Sequence, residues 1–262
     1  MSGTTDITNP VFPGRELREG RGLRVLIGFE TSGRTREAFL ALGHDVWSCD
    51  LLPAVDGSNR HIRGDVFDHL DEGWDLAIFH PTCTYLTSSA EWAYKDPDYD
   101  RYPGVGYHQK LKPGTLFGAE RRAARDRAVA EFIRLDTCPI PRKAIENPVG
   151  CISSRHRKPD QIIQPYWFGD DASKATCLWL TGLKPLQRDP AARCPGRMVE
   201  WPRGSGRTVE RWANQTDSNQ NRLTPSEDRW SDRSATYPGI ASAFASNWGR
   251  PSNDDLFGRA AA

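Results

Sequence analysis

The chain has 262 residues, enough to bury a sizeable core as one main domain without covalent staples. Its 35 Lys and Arg against 34 Asp and Glu leave a formal charge of +1, which excludes a global field that would draw a polyanion, so any basic surface is local. Six cysteines (Cys49, Cys83, Cys138, Cys151, Cys177, Cys194) lie scattered, with no C-x-x-C pair and no His/Cys ligand spacing, which argues against a metal site and against a disulfide scaffold.

Residues 1–22 are polar and read as a loosely packed arm, without the apolar segment of a secretory leader. No run nears the roughly 18 apolar residues of a membrane span, so the expectation is a soluble, cytoplasmic protein with reduced thiols and no membrane partner. "LRVLIGF" (23–29) is a short apolar run, and "SGRTREAFLALGHD" then sets Ala38, Phe39 and Leu42 at helical spacing ahead of Gly43. "DVWSCDLLP" (45–53) predicts a second strand closed by Asp50 and a proline, "RHIR" a short third, and "WDLAIFHP" (74–81) a fourth. The Gly-, Pro-, Tyr- and Asp-rich stretch between Thr84 and Gly118 is too long for an ordinary connection and reads as a lid. "AERRAARDRAVAEFIRLD" (119–136) carries Ala128, Val129, Phe132 and Ile133 on one face with arginines around the rest, an amphipathic helix. "KAIENPVG" returns to strand and turn, and "TCLWLTGL" (176–183) is another buried strand. Residues 184–224 dissolve into Arg, Pro, Gly, Ser and Asn, and "TYPGIASAFASNWG" gives a last helix with Ile240, Ala243, Phe244 and Trp248. Strands alternating with helices predict an α/β fold, a Rossmann-like, doubly wound, mostly parallel sheet. The main domain is then 23–183, followed by a small irregular segment 184–224, a C-terminal segment 225–250 that completes the main domain, and a tail 251–262.

In an open parallel sheet, ligands sit outside the C-terminal ends of the strands, and four such ends are polar here. The first is "GFETSG", followed about 20 residues later by Asp50, an offset at which an acid commonly binds ribose hydroxyls. With two glycines and no G-x-G-x-x-G, it reads equally as an ordinary strand-to-helix turn. Asp65 after the third strand would receive an adenine amino group, or is a solvated loop acid. Cys83 follows "LAIF" and Pro81, which constrains the backbone ahead of it; it reads either as the small buried hydrophobe that most free cysteines are or, from its place at a strand end ahead of a long loop, as a nucleophile. Glu146 ends "AIE", and Asn147-Pro148 forces a turn there; a glutamate at the edge of a core is expected to hold its proton more tightly, as a general acid does, the alternative being a helix-capping or salt-bridged acid.

Taken in order, "ETSG", Asp50, Asp65, "HPTC" with Cys83 and "ENP" with Glu146 resemble the cytosine-5 DNA methyltransferase family, and more narrowly a short phage-type group of DNA cytosine methylases. The resemblance spans about residues 23–249. It takes in "SKATCLWLTGL", with Lys174 where the family has arginine, and "TYPGIASAFASNWG" as the closing helix of the cofactor site. It implies a fold of the class I methyltransferase type and a location in a bacterial host cell if the protein is phage-encoded. It also implies S-adenosylmethionine as the donor, held by Phe29, Glu30, Thr31, Ser32, Gly33, Asp50, Leu51, Asp65, Val66, Pro81 and Ala241. Catalysis is carried over to Cys83, Glu146, Asn147 and Lys174.

The chemistry gives these residue types a reason. Carbon 5 of cytosine is too weak a nucleophile to take a methyl group directly, so a thiolate, Cys83, adds at carbon 6. Protonation at ring nitrogen 3 by Glu146 stabilises the adduct, Asn147 holds the loop or the base edge, and removal of the carbon-5 proton falls to ordered water. The cytosine must leave the duplex, under a closing loop that includes Thr84 and Tyr85. DNA is the implied partner, with Arg188, Arg193, Arg197, Arg203 and Arg207 for phosphates and Trp201 for stacking in a small recognition segment. The sequence assigns neither a target site nor an oligomeric state. Because "GFETSG" departs from the family's Phe-x-Gly-x-Gly, two alternatives stay open: a carbon-5 modifying enzyme with another one-carbon donor, and a DNA-binding relative without the reaction. An amino-group methyltransferase is a more distant rival, since "HPTCTY" matches an Asp-Pro-Pro-Tyr loop only loosely.

Overall fold

The short apolar runs become the strands of one seven-stranded sheet in the computed structural model, which describes residues 22–88, 90–222 and 235–250. The expected tail 251–262 and all but the last residue of the expected arm 1–22 lie outside the described residues, as do residues 223–234 around the expected 224/225 boundary. The strands in chain order are β1 (Arg24–Gly28), β2 (Asp45–Asp50), β3 (His61–Arg63), β4 (Leu76–Phe79), β5 (Lys143–Pro148), β6 (Gln161–Ile163) and β7 (Thr176–Thr181). Their order across the sheet is β3-β2-β1-β4-β5-β7-β6. The first five run parallel, and β7 is antiparallel to both β5 and β6. This mixed α/β arrangement is compatible with a Rossmann-like fold.

Successive residues of a strand face opposite sides, and here both sides are covered. Leu26, Ala77, Phe79, Ile145, Cys177 and Trp179 meet α2 (Gly118–Thr137), whose Phe132 ring stands edge-on to Trp179 at 4.9 Å between centroids. Val25, Ile27, Leu76, Ile78, Ala144 and Leu178 form the other core with Phe39 of α1 (Arg34–Leu40) and Phe244 and Trp248 of a C-terminal helix, α4 (Pro238–Trp248). All four residues of β4 are buried, the pattern of a central strand packed on both faces. A short α3 (Ile152–Arg155) follows β5. No helix among the described residues is long and apolar enough to cross a membrane.

Two stretches depart from expectation. The expected strand 45–53 stops at Asp50, and 51–60 is irregular, tied down by the fully buried Arg36, which bonds Ser48 Oγ at 2.7 Å and pairs with Asp56. The expected lid is packed against α2. Arg125 donates to the carbonyls of Tyr85 (3.0 Å) and Thr87 (3.3 Å) and pairs with Glu91, while its guanidinium lies 3.4 Å over the Tyr94 ring. Trp92, Tyr107, His108 and Phe117 interlock edge to face in the same segment. Arg121 and Arg125, which belong to the polar side of the helix by pattern alone, are therefore buried.

Within 184–224 the chain forms a two-stranded hairpin of β8 (Arg197–Glu200) and β9 (Thr208–Arg211). Its strands, "RMVE" and "TVER", are half exposed and carry no apolar run that would announce them.

Candidate active site

The parallel register of β4 and β5 aligns Phe79 with Ile145, so the loop after β4 and the turn after β5 leave the sheet side by side. Three ties hold them together. His80 Nδ1 is 3.1 Å from Glu146 Oε2, Asn147 Nδ2 donates to the Pro81 carbonyl at 2.9 Å, and the Cys151 N–H donates to the Leu86 carbonyl at 2.8 Å. An antiparallel bridge between Thr87 and Gly150 adds to the last of these. Cys83 lies between the clamps, exposed, in a turn in which its carbonyl accepts from Leu86 N–H (3.0 Å) and Thr87 N–H (3.1 Å). The loop that carries the thiol is thus anchored on both sides by the segment that carries Glu146.

Gly150 makes the second clamp possible. A Cβ there would overlap the Leu86 carbonyl and lie 2.8 Å from Thr87 Cα, so the two backbones would have to separate. Gly150→Ala is expected to displace the Cys83 loop by a fraction of an ångström and to slow any reaction of the thiol that depends on a seated base by about 100-fold. Its cost in stability should be only about 1–3 kcal/mol. Rates of covalent capture alongside urea unfolding measure the two effects separately.

The charge state of Glu146 is the reverse of the expectation. Burial pushes its proton affinity up, but the nearby Lys174 charge, the His80 imidazole and the Thr176 hydroxyl outweigh burial and hold the carboxyl below its ordinary range. The expected general acid is therefore a carboxylate at rest. Lys174 lies just ahead of β7, its backbone N–H bound to Gln164 Oε1 at 2.9 Å, and acts on Glu146 through its charge. Asn147 is 1 % exposed and the His80 side chain 7 % exposed, yet Asn147 Oδ1 and His80 Nε2 are buried atoms with no hydrogen-bond partner. His80 was not among the residues singled out by the sequence. Its one signal there is its address, directly after β4 and directly before Pro81.

The six thiols divide by environment. Burial pushes Cys49 up to about 12 and Cys177 up to about 11, and it raises Cys138 and Cys151 as well. Such thiols stay protonated and inert. Cys83 is the exposed one, and none of the six is disulfide-bonded.

The ends of β1, β2 and β3 form a second cluster at the same edge of the sheet. Phe29 adopts a left-handed conformation (φ 61°), donates to the Cys49 carbonyl at 2.7 Å and stands edge-on to Phe67 at 6.0 Å. Beneath them Val66 is buried, and a Cβ on Gly28 would meet both it (2.9 Å) and the Phe79 ring. Asp50 accepts from Leu52 N–H (2.9 Å) and Asp65 from Phe67 N–H (3.0 Å), each through Oδ1; Leu51 is 70 % exposed. Glu30 is committed within the protein. It is buried, and its carboxylate accepts from Thr35 N–H at 2.7 Å and Arg36 N–H at 3.2 Å, with Ser32 Oγ at 3.4 Å. It neutralises the first amides of α1, where an incoming anion would otherwise bind. The Thr31 carbonyl accepts from Val55 N–H at 2.9 Å, and Gly33 takes a left-handed turn (φ 72°) into α1. Ala241 is 2 % exposed on α4, the helix that packs on α1.

The proposed nucleic-acid contacts separate into two groups. Arg193 pairs with Glu210 and Arg197 with Asp217 at 2.9 Å, so these two cations serve the hairpin itself, while Arg188 lies 3.2 Å over the Trp167 ring outside it. Tyr85 lies under Arg121 at 5.4 Å, and Trp212 is stacked on Tyr166 at 3.9 Å. Arg203, Arg207 and Trp201 instead gather on the exposed hairpin tip, closed by the Trp201 N–H to Arg207 carbonyl bond at 2.9 Å. Trp201 and Arg203 also line an open cleft of about 350 Å³ with Asp217 and Arg222. Thr84 is exposed one residue from the thiol. Against known proteins, no family model matches this chain and no curated protein matches it significantly.

Proposed function

We propose that this protein is a DNA cytosine carbon-5 methyltransferase that works through a covalent adduct of Cys83 with a flipped base. The observation that carries the reading is the double anchoring of the Cys83 loop to the Glu146–Asn147 turn. It ties the loop of the single well-exposed thiol to the turn of a buried acid, at the edge of the sheet where ligands bind. The strand order, with β7 reversed beside β5, agrees with a sheet of the class I methyltransferase type.

Cys83 Sγ adds as thiolate to carbon 6, forming an S–C bond and moving the ring's electron pair toward carbon 5 and nitrogen 3. Glu146, ionised at rest, accepts a hydrogen bond from the exocyclic amine. A base seated over it removes the remaining 12 % exposure of its side chain, and the added desolvation favours uptake of a proton that Glu146 can then deliver to nitrogen 3. Asn147 keeps the loop in register through Pro81. The hairpin tip, with Arg203, Arg207 and Trp201, meets phosphates and an unstacked base.

The β1–β3 edge fits the nucleoside half of S-adenosylmethionine: Asp50 at the position for ribose hydroxyls, Asp65 for an amino group, and Phe29 beside Phe67 for an adenine face. When bound, that group supplies an electrophilic methyl. The amino-acid half finds the α1 amides already taken by Glu30, which is the observation in favour of a different one-carbon donor on the same Cys83 chemistry. The test is incubation with duplex DNA containing 5-fluorocytosine, with and without S-adenosylmethionine. A denaturation-resistant complex that requires the donor is the expected result. Absence of any complex on mixed-sequence DNA that the protein nonetheless binds would assign it to the non-catalytic class.

A further inference from the structure

Asn214 fastens the small segment 184–224 to the run of chain that leads into β7. Its side-chain amide is held at both ends: Oδ1 accepts from the Ser173 N–H and Nδ2 donates to the Ser173 carbonyl, each at 2.9 Å. A backbone N–H can only donate and a carbonyl only accept, so these two bonds fix the orientation of the amide. A third tie lies alongside, from the Ala213 N–H to Asp171 Oδ1 at 2.9 Å, and the Tyr237 hydroxyl just ahead of α4 bonds the same Asn214 side chain. The residue after Ser173 is Lys174, whose own N–H is held by Gln164 Oε1 at 2.9 Å. The antiparallel register sets Thr176 opposite Pro148, so the run 171–175 passes the point where β5 leaves the sheet, and there the Lys174 charge reaches Glu146. The other groups that face Glu146 are the His80 imidazole after β4 and, on β7, the Thr176 hydroxyl and the Cys177 thiol.

We propose that Asn214 is a positioning residue for Glu146: by clamping Ser173 it holds Lys174 against the carboxylate, so that the segment 184–224 completes the acid site as well as offering a surface to DNA. The catalytic meaning of this rests on the reading of Glu146 as the group that passes a proton to the base. A lysine side chain is long and has many rotamers, so its charge can be aimed only from a backbone that is itself fixed. Gln164 and Asn214 fix that backbone at two consecutive residues. Loss of Asn214 releases one of the two, and Lys174 then spends less time where Glu146 needs it.

The experiment is a pH titration of the Glu146 side-chain carboxyl by carbon-13 NMR in the full chain, the signal being assigned by its loss in Glu146→Gln. Wild type is compared with Asn214→Ala, Lys174→Gln and Gln161→Ala. Gln161 is the matched control: its side chain makes the same reciprocal pair of bonds to Leu186, at 3.0 and 2.8 Å, and so fastens the same segment at its other end. The carboxyl midpoint is expected to rise in Lys174→Gln, to rise also in Asn214→Ala, and to stay at the wild-type value in Gln161→Ala. Capture of 5-fluorocytosine DNA is expected to slow by about tenfold in Asn214→Ala. Where Asn214→Ala does not fold, Asn214→Ser takes its place, since a hydroxyl cannot span both Ser173 groups. An unmoved midpoint in Lys174→Gln or in the Asn214 variant, or an equal rise in Gln161→Ala, overturns the proposal and leaves Asn214 a fastener of the segment only. A midpoint that follows Asn214 while wild type captures no DNA leaves the positioning role standing and removes the methyltransferase reading, so the two can fail separately.

Discussion

Cys83→Ala is expected to abolish the covalent complex with 5-fluorocytosine DNA and to lower methyl incorporation by a factor on the order of 10⁴ or more, because loss of a nucleophile removes the route and not merely a contact. The same substitution should leave stability within about 0.5 kcal/mol of wild type, since the side chain is exposed and its backbone keeps both turn hydrogen bonds. That combination is diagnostic. A structural cysteine would show the opposite balance, and the chain supplies its own control in Cys177, which is 1 % exposed, held protonated by burial, and so unreactive but packed. Cys177→Ala should lower the unfolding midpoint and leave the intrinsic rate of capture near wild type. Full methyl incorporation by Cys83→Ala, read as radiolabel from the donor into DNA, would end the thiol mechanism.

The sheet was legible wherever a strand is buried on both faces. "RVLIG", "LAIF" and "TCLWLT" each put consecutive apolar residues between two polar stretches, and no other use of such runs is available to a chain of mixed charge. What was hidden follows from the same rule. β6 is only three residues long, and the β8–β9 hairpin is half exposed, so neither carries a pattern that stands above a polar loop. The segment after Cys83 misled for a different reason: its glycines and prolines announce a loop, but Tyr85 and Tyr94 find partners in Arg121, Arg122 and Arg125 from another part of the chain. Cation–π and carbonyl contacts of this kind have no local period to read.

The candidate site divides along the same line. Position after an apolar run brings Cys83, Glu146, Asn147, Asp50 and Asp65 to one edge, because a parallel sheet delivers all its strand ends there. Charge state does not follow from position. Glu146 at a core edge suggests a raised proton affinity until Lys174 and His80 are seen beside it, and Glu30 suggests a ligand contact until the amides of α1 are seen to take both its oxygens. His80 escaped notice because a histidine before a proline has no special meaning until its two nitrogens are placed, one on Glu146 and one on nothing.

That placement makes Glu146 the second large prediction. Its carboxyl is held below the ordinary value of 4.5, so the stability it contributes is fully present above pH 4.5 and is lost as pH falls through the lower folded value. Glu146→Gln keeps the shape and an acceptor for His80 but deletes the charge that faces Lys174, at a cost of roughly 1–3 kcal/mol at neutral pH. The gap between variant and wild type should narrow as the solution is acidified below pH 4.5, since protonation does to wild type what the substitution has already done. Asp136, also held low by Arg157 and His156, titrates in the same acid window, but it is present in both proteins and cancels in the difference. Catalysis should suffer more than folding: an amide can neither take up a proton nor pass one to ring nitrogen 3, so capture of fluorinated DNA is expected to fall by about 10²–10⁴-fold. If urea titrations at pH 7 and pH 3.5 give the same gap, the Lys174–Glu146–His80 arrangement does not hold the charge. If capture survives unchanged, the acid of this site lies elsewhere.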